Sequence, residues 1–305
     1  MSSIRRKLKV NENDSKNTRM DIASAGVLGN WRPDEITHIS RYDKIASLCI
    51  EEAKNLGRPI DTFEIGCGEV WVLRNLYKAY TVKKSDIISS YYGVDIDPAV
   101  LNENPFWSNA DGELKDSTWF KNFNGTIDIV DVTVPQVDEN NKKLNIFHKL
   151  EDESIDFFWT TEVIEHMGRE FVPIWLKDAA RCLRTNGLAY VSTPNHDGSN
   201  DKLPEDHIYE WGFQELKEEL EKHFHIESVV GTFIQLPKFR KAQAAHQEPR
   251  VDGIPAHDRK LFPKAWTAEQ LDMLEERFGR QFLRVALATP YPEHANNCAW
   301  RLRKK

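Results

Sequence analysis

A chain of 305 residues can bury one large core without needing a second domain, and 40% hydrophobic with 29% charged residues excludes a disordered or fibrous protein. The formal net charge of −7 argues against a surface that embraces nucleic acid as a whole, although it leaves room for a local basic patch. The longest apolar runs, such as 155–159, fall far short of the roughly 20 residues a membrane helix needs.

Residues 1–11 carry Arg5, Arg6, Lys7 and Lys9 with no apolar signal stretch behind them, so a cytoplasmic protein without a membrane partner is expected. Cys49, Cys67, Cys182 and Cys298 are widely separated and form no CxxC pair, which points to reduced thiols rather than a zinc site or a disulfide framework.

In chain order, residues 1–32 are polar and charge-rich, with Asn11, Asn13, Asp14, Ser15, Lys16 and Asn17 close together, and read as a mobile arm. Tyr42, Ile45 and Cys49 then recur at helical spacing, with Gly57 at the expected helix end. A short strand at 62–65, a glycine turn and a helix with Val72, Leu73, Leu76, Tyr77 and Tyr80 on one face follow. Strands are expected at 91–95 and 126–132, and the polar stretch 101–125 between them reads as an insertion over the sheet edge or the pocket. Further strands are read at 155–159, 188–192, 226–230 and 298–302. The helices between them carry Phe171, Trp175, Ala179 and Cys182 and then, from Gly212 to His223, align Phe213, Leu216, Leu220 and Phe224. Residues 238–264 read as a loop with seven Lys or Arg against Glu248, Asp252 and Asp258. A capping box from Thr267 to Gln270 opens a last helix bearing Leu271, Leu274 and Phe278. Strands alternating with helices imply a mostly parallel sheet covered on both faces.

The segment Phe63-Glu64-Ile65-Gly66-Cys67-Gly68-Glu69 sets two glycines between a strand and a helix, where missing side chains let a ligand approach the backbone. A dinucleotide fingerprint would place a third glycine at position 71, where this chain has Trp71. The next strand ends Gly93-Val94-Asp95-Ile96-Asp97-Pro98, and a carboxylate at a strand's C-terminal edge can accept both hydroxyls of a ribose. Asp95 is the better placed of the two acids, the competing role for the pair being a turn cap.

From about residue 60 to residue 231 these ordered motifs resemble the class I S-adenosylmethionine-dependent methyltransferases. The resemblance implies an α/β fold: a doubly wound, mostly parallel seven-stranded sheet, Rossmann-like. It would carry an N-terminal arm at 1–32, a cofactor domain at 33–231, and at 232–305 an acceptor-lid insertion with the final strand of the same domain. It implies that Glu64, Gly66, Cys67 and Gly68 wrap the methionine part of S-adenosylmethionine, that Asp95 holds the ribose and that Asp131 meets the adenine. Thr161 is placed with this cofactor set. Many members carry another glycine where this chain has Val70.

After the fourth strand comes Thr160-Thr161-Glu162-Val163-Ile164-Glu165-His166-Met167. If Glu162 to His166 form a helical turn, Glu162, Glu165 and His166 share one face and could converge on one ion. This run, with Ser192-Thr193-Pro194-Asn195 and Asp206-His207-Ile208-Tyr209-Glu210-Trp211, is similar to the small-RNA 3′-terminal 2′-O-methyltransferases. That resemblance implies a divalent metal, Mn²⁺ or Mg²⁺, on Glu162, Glu165, His166 and His207; on donor chemistry alone the nitrogen ligands also suit Fe²⁺ or Zn²⁺. Ubiquinone-pathway O-methyltransferases and sugar methyltransferases show similar segments with small-molecule acceptors, where His166, with Glu165, would act in catalysis as general base or substrate contact.

No Asp/Asn-Pro-Pro-Tyr segment of the amino-methylating DNA enzymes follows the fourth strand, and no cysteine follows a proline as a cytosine-carbon enzyme requires. The two resemblances imply O-methylation, first of a small hydroxylated molecule, with RNA ribose 2′-O-methylation and a non-catalytic cofactor-binding scaffold as the alternatives. The basic loop and the metal cluster favour RNA; the acidic balance favours the small molecule.

Overall fold

The computed structural model describes residues 36–79, 84–101, 113–196, 205–234 and 292–305, together with 203, 250–251, 254–255 and 288–289. The N-terminal arm, Tyr80, most of the basic loop and the helix expected after Thr267 lie outside the described residues. The elements are α1 (Ile36–Leu56), β1 (Ile60–Ile65), α2 (Trp71–Ala79), β2 (Ile88–Asp95), α3 (Thr118–Lys121), β3 (Gly125–Ile129), β4 (Ile155–Thr161), α4 (Val172–Cys182), β5 (Leu183–Pro194), α5 (Phe213–Leu220), β6 (Phe224–Ile234), β7 (Arg250–Val251), β8 (Ile254–Pro255), β9 (Ala288–Thr289) and β10 (Ala295–Lys304).

The main sheet has the order β3-β2-β1-β4-β5-β10-β6-β9. Strands β1 to β5 pair in parallel, and β10 runs antiparallel between β5 and β6. Seven strands form the doubly wound sheet, and β9 adds a two-residue edge that the sequence reading lacked. Its central strand shows why the chain folds this way. All seven residues of β4 are buried, as a strand covered on both faces requires. Phe158 packs with Phe63, Trp175, Leu176 and Leu216 under α4 and α5, while Phe157 and Trp159 pack with Ile45, Cys49, Leu73 and Leu76 under α1 and α2. All four cysteines are buried thiols. Among the described residues no helix is long and apolar enough to cross a membrane.

Three expectations need correction. The third strand stops at Ile129 rather than 132, because Asp131 Oδ1 accepts from the Thr133 N–H at 2.9 Å and the Thr133 hydroxyl at 2.6 Å, closing an Asx turn. The helix expected to reach 223 ends at Leu220, since Lys222 N and His223 N bond to Glu219 and Leu220 carbonyls and turn the chain into β6. The described part of the 101–125 insertion is core rather than cover: Trp119, Phe120 and Phe123 are buried, and the Arg74 guanidinium stands 4.6 Å from the Trp119 ring centre.

At the N-terminal edge of the strands Asp156 is a hub. Arg58 meets both its oxygens at 2.8 and 2.6 Å, Arg184 lies 2.8 Å away, and the Asp61 N–H donates at 2.9 Å. Asp156 is 3% exposed and Arg58 44% exposed, so the carboxylate loses more on truncation than the cations, which can turn to water. Asp156→Ala is expected to lower stability by about 2 kcal/mol, read as a lower urea midpoint at unchanged slope.

Candidate active site

In an open α/β sheet, ligands bind at the C-terminal strand ends where the winding direction reverses. Here that point lies between β1 and β4, and the strand order brings the ends of β1, β2, β4 and β5 to it.

The glycine turn after β1 is tied down from β2. Gly66 N and Cys67 N both donate to Val94 O, at 2.8 and 3.1 Å, and Gly68 N donates to Asp95 Oδ2 at 2.8 Å. The other Asp95 oxygen accepts from Asp97 N at 3.0 Å, so one carboxylate joins the turn to the end of β2. Both glycines are left-handed, with φ +70 at Gly66 and +49 at Gly68. They differ in surroundings. A Cβ on Gly66 would stand 2.2 Å from Val163 Cγ2, whereas a Cβ on Gly68 would meet nothing within 4 Å. Val70, in the position where many methyltransferases carry glycine, keeps a left-handed backbone at φ +51 and is buried. The glycine-like geometry thus survives at the expense of β-branched strain.

Beneath the turn, Glu64 is 2% exposed and accepts a 2.5 Å hydrogen bond from the Tyr91 hydroxyl. Burial pushes its carboxyl up to about 8, the Tyr91 bond opposing and the Asp95 charge adding. Burial likewise lifts the Cys67 thiol well above its ordinary range. Thr161, the last residue of β4, is buried and registered against Ser192. Asp131 is half-buried with Oδ1 committed to Thr133.

The segment after β4 departs from the helical turn assumed from the sequence. Glu162 N donates to Ser192 O at 2.9 Å, which keeps the residue in sheet register, and its backbone then turns left-handed at φ +53. Only Ile164–His166 form a turn of 3₁₀ helix. Glu162 is therefore engaged by partners other than the Glu165–His166 turn. Its carboxylate accepts from Asn297 Nδ2 at 2.8 Å to each oxygen and from Ser192 Oγ at 3.2 Å, with the buried Arg41 guanidinium 3.5 Å away.

The other three residues come together. One ligand atom each from Glu165, His166 and His207 lie within 4.8 Å of one another, and Glu162 stands outside this group. Glu165 is buried, one oxygen accepting from Thr193 Oγ1 at 3.0 Å and the other 4.0 Å from His166 Nε2. Burial first, and the Glu162 charge second, hold its carboxyl well above the usual carboxylate range. The two imidazoles stand 5.2 Å apart and nearly perpendicular. Each has its Nδ1 on an oxygen: His166 on the Asp206 carbonyl at 3.0 Å, His207 on Glu210 Oε1 at 2.6 Å. Ile208 N and Tyr209 N both donate to the Glu165 carbonyl, at 2.8 and 3.2 Å, which pins the loop over the turn.

Sequence reasoning missed Arg41, Tyr91, Asn297 and Glu210. Of these only Glu210 left a usable trace, its spacing of three from His207; Asn297 meets Glu162 across 135 residues, which no local pattern shows.

The methyltransferase-domain family matches residues 37–232, and the chain belongs to that family. No curated protein sequence matches it significantly. Among solved structures it is similar to an S-adenosylmethionine-dependent methyltransferase from Archaeoglobus fulgidus, at 14% identity over 86% of this chain and 94% of that one, TM-score 0.46. It is also similar to the 1,6-didemethyltoxoflavin-N1-methyltransferase from Burkholderia thailandensis with bound S-adenosylhomocysteine, at 14% identity over 84% of this chain and 76% of that one, TM-score 0.43.

Proposed function

We propose that this methyltransferase moves the methyl group of S-adenosylmethionine to an oxygen of a small hydroxylated molecule, with Glu165, His166 and His207 handling the acceptor hydroxyl. The observation that carries the reading is the convergence of those three side chains, from two separate loops, beside the cofactor turn. In the transfer the carbon–sulfur bond of the sulfonium breaks, a carbon–oxygen bond forms, and the acceptor proton must leave. Gly68, Asp95 and the exposed Ile96 present an open turn, an acceptor of ribose hydroxyls and an apolar surface for the nucleoside.

One carboxylate and two imidazoles fit a divalent cation of the Mn²⁺, Fe²⁺ or Zn²⁺ kind, and both imidazoles have their Nδ1 tied to oxygen, as metal-binding histidines do. A cation held there would lower the pKa of the acceptor hydroxyl and fix its place. Thr193 keeps Glu165 oriented by holding one of its oxygens.

The described chain flanking the cluster favours a small acceptor. Glu205 and Asp206, which directly precede His207, are exposed, Asp206 touches His166, and the Arg169 guanidinium is 2.6 Å from Glu215. Such a rim repels a polyanion. The ligand cluster itself keeps RNA ribose as the second reading.

Labelled methyl transfer tests both. His207→Ala and Glu165→Gln are expected to lower kcat/KM at least about 100-fold, and EDTA to do the same until Mn²⁺ is restored. Labelling of RNA ending in ribose but not in 2′-deoxyribose would replace the small acceptor with RNA. Transfer indifferent to both substitutions would remove the cluster from the reaction, and no transfer to any acceptor would leave a scaffold.

A further inference from the structure

Resting on the metal reading above, we propose that Glu210 is a positioning residue for the metal site, holding His207 in the tautomer that leaves Nε2 as the ligand nitrogen. His207 Nδ1 lies 2.6 Å from Glu210 Oε1, and a carboxylate oxygen only accepts, so the proton of that bond is on Nδ1. The lone pair the ring can offer is then on Nε2. Neither partner is open to water: the side chains are 14% and 13% exposed. The bond therefore has little solvent competition, and it fixes the plane of the ring as well as its tautomer.

The arrangement on the partner imidazole is different. His166 Nδ1 is held by a backbone carbonyl, that of Asp206, in the same loop. The Asp206 carboxylate stands 3.8 Å from the same nitrogen, but it is 60% exposed and screened by water, unlike Glu210. The two histidines are thus fixed by one loop but unequally, and removing the Glu210 charge should weaken the His207 arm while leaving His166 in place. The loop does not depend on Glu210 for its seat, because Ile208 N and Tyr209 N bind the Glu165 carbonyl through backbone alone, and His196 N donates to Trp211 O at 2.9 Å at its far end.

The test uses the full chain as wild type, Glu210→Gln and Glu210→Ala, with Mn²⁺ followed by calorimetry and Co²⁺ by its visible absorption. The wild type is expected to bind one equivalent of Mn²⁺. Glu210→Ala should bind it about 10- to 100-fold more weakly. Glu210→Gln, which keeps an oxygen for Nδ1 but no charge, should fall between. The Co²⁺ bands should shift in both variants, and the metal-free unfolding temperatures should stay close to wild type. Affinities within twofold of wild type, with unshifted Co²⁺ bands, would overturn the role of Glu210 and leave the metal site standing. Equal losses in both variants together with a lowered metal-free unfolding temperature would show a strap for the loop and also overturn it. A wild type that binds neither ion would overturn the metal reading itself.

Discussion

Gly66→Ala is expected to lower the unfolding temperature by about 10 °C, while Gly68→Ala shifts it by only a few degrees and abolishes stabilisation by S-adenosylhomocysteine. Both glycines are left-handed, so an alanine at either pays the same backbone penalty, roughly 1–2 kcal/mol. The difference lies in what the new methyl meets. At Gly66 it stands 2.2 Å from Val163 Cγ2 and 3.2 Å from Cγ1, and a β-branched side chain has one comfortable rotamer in which to retreat. Val163 cannot shift as a unit either, because Glu162 before it is held by Asn297, Ser192 and Arg41. Overpacking of this kind adds about 1–3 kcal/mol. At Gly68 the methyl enters open space, the space a ligand laid on the turn would need. Thermal scans of both variants with and without S-adenosylhomocysteine decide it. Equal stability of the two would show that the β4 loop gives way, and a Gly68→Ala chain still stabilised by the nucleoside would move the cofactor off the turn.

The same residues show how far the sequence could be read. Strands announced themselves as short buried apolar runs, β4 most clearly, since every one of its residues is buried. Asp95 stood out as an acid at a strand's C-terminal end, and in the structure its carboxylate does the work of a turn cap, tying Gly68 and Asp97 to the end of β2. Glu165, His166 and His207 were legible through spacing and motif, and they do converge. Glu162 was misplaced for a local reason that no periodicity contains: a backbone bond to Ser192 carries the β4 pairing one residue too far for a helical turn to start there. Its actual partners, Arg41 and Asn297, arrive from the first described helix and the last strand. Contacts of that span are set by sheet order, and sheet order is fixed only when β10 inserts between β5 and β6. The third strand was overrun for the opposite reason, since Val130 and Val132 continue an apolar pattern that Asp131 ends by folding its own side chain back on Thr133.

Glu64→Gln is expected to stabilise the chain at pH 8 and not at pH 5, while weakening its hold on the cofactor. Burial lifts the Glu64 carboxyl to about 8, against an ordinary value of 4.5. Between those values the folded chain keeps a proton that the unfolded chain releases, so stability without cofactor falls as pH rises across this window, by up to about 1.4 kcal/mol per unit. The groups facing Glu64 do not reverse the sign. Desolvation is the largest cause; the bonds from Tyr91 and Trp159 favour the charged form, and the Asp95 charge opposes them. Cys67, the thiol on the same side, is itself held neutral by burial. Glutamine keeps an oxygen for the Tyr91 hydroxyl and has no proton to lose, so urea midpoints of the two proteins should agree near pH 5 and diverge in favour of the variant toward pH 8. The gain should reach roughly 2–4 kcal/mol. A buried acid that costs stability suits a site where a ligand uses its charge, and on the proposed reading an ionised Glu64 would be the matching partner for the cofactor's methionine ammonium. Weaker S-adenosylhomocysteine binding by the variant, together with its higher stability, is the expected pair of results. A variant less stable than wild type at every pH would mean that Glu64 is ionised and paired in the fold, and its place under the glycine turn would then be structural.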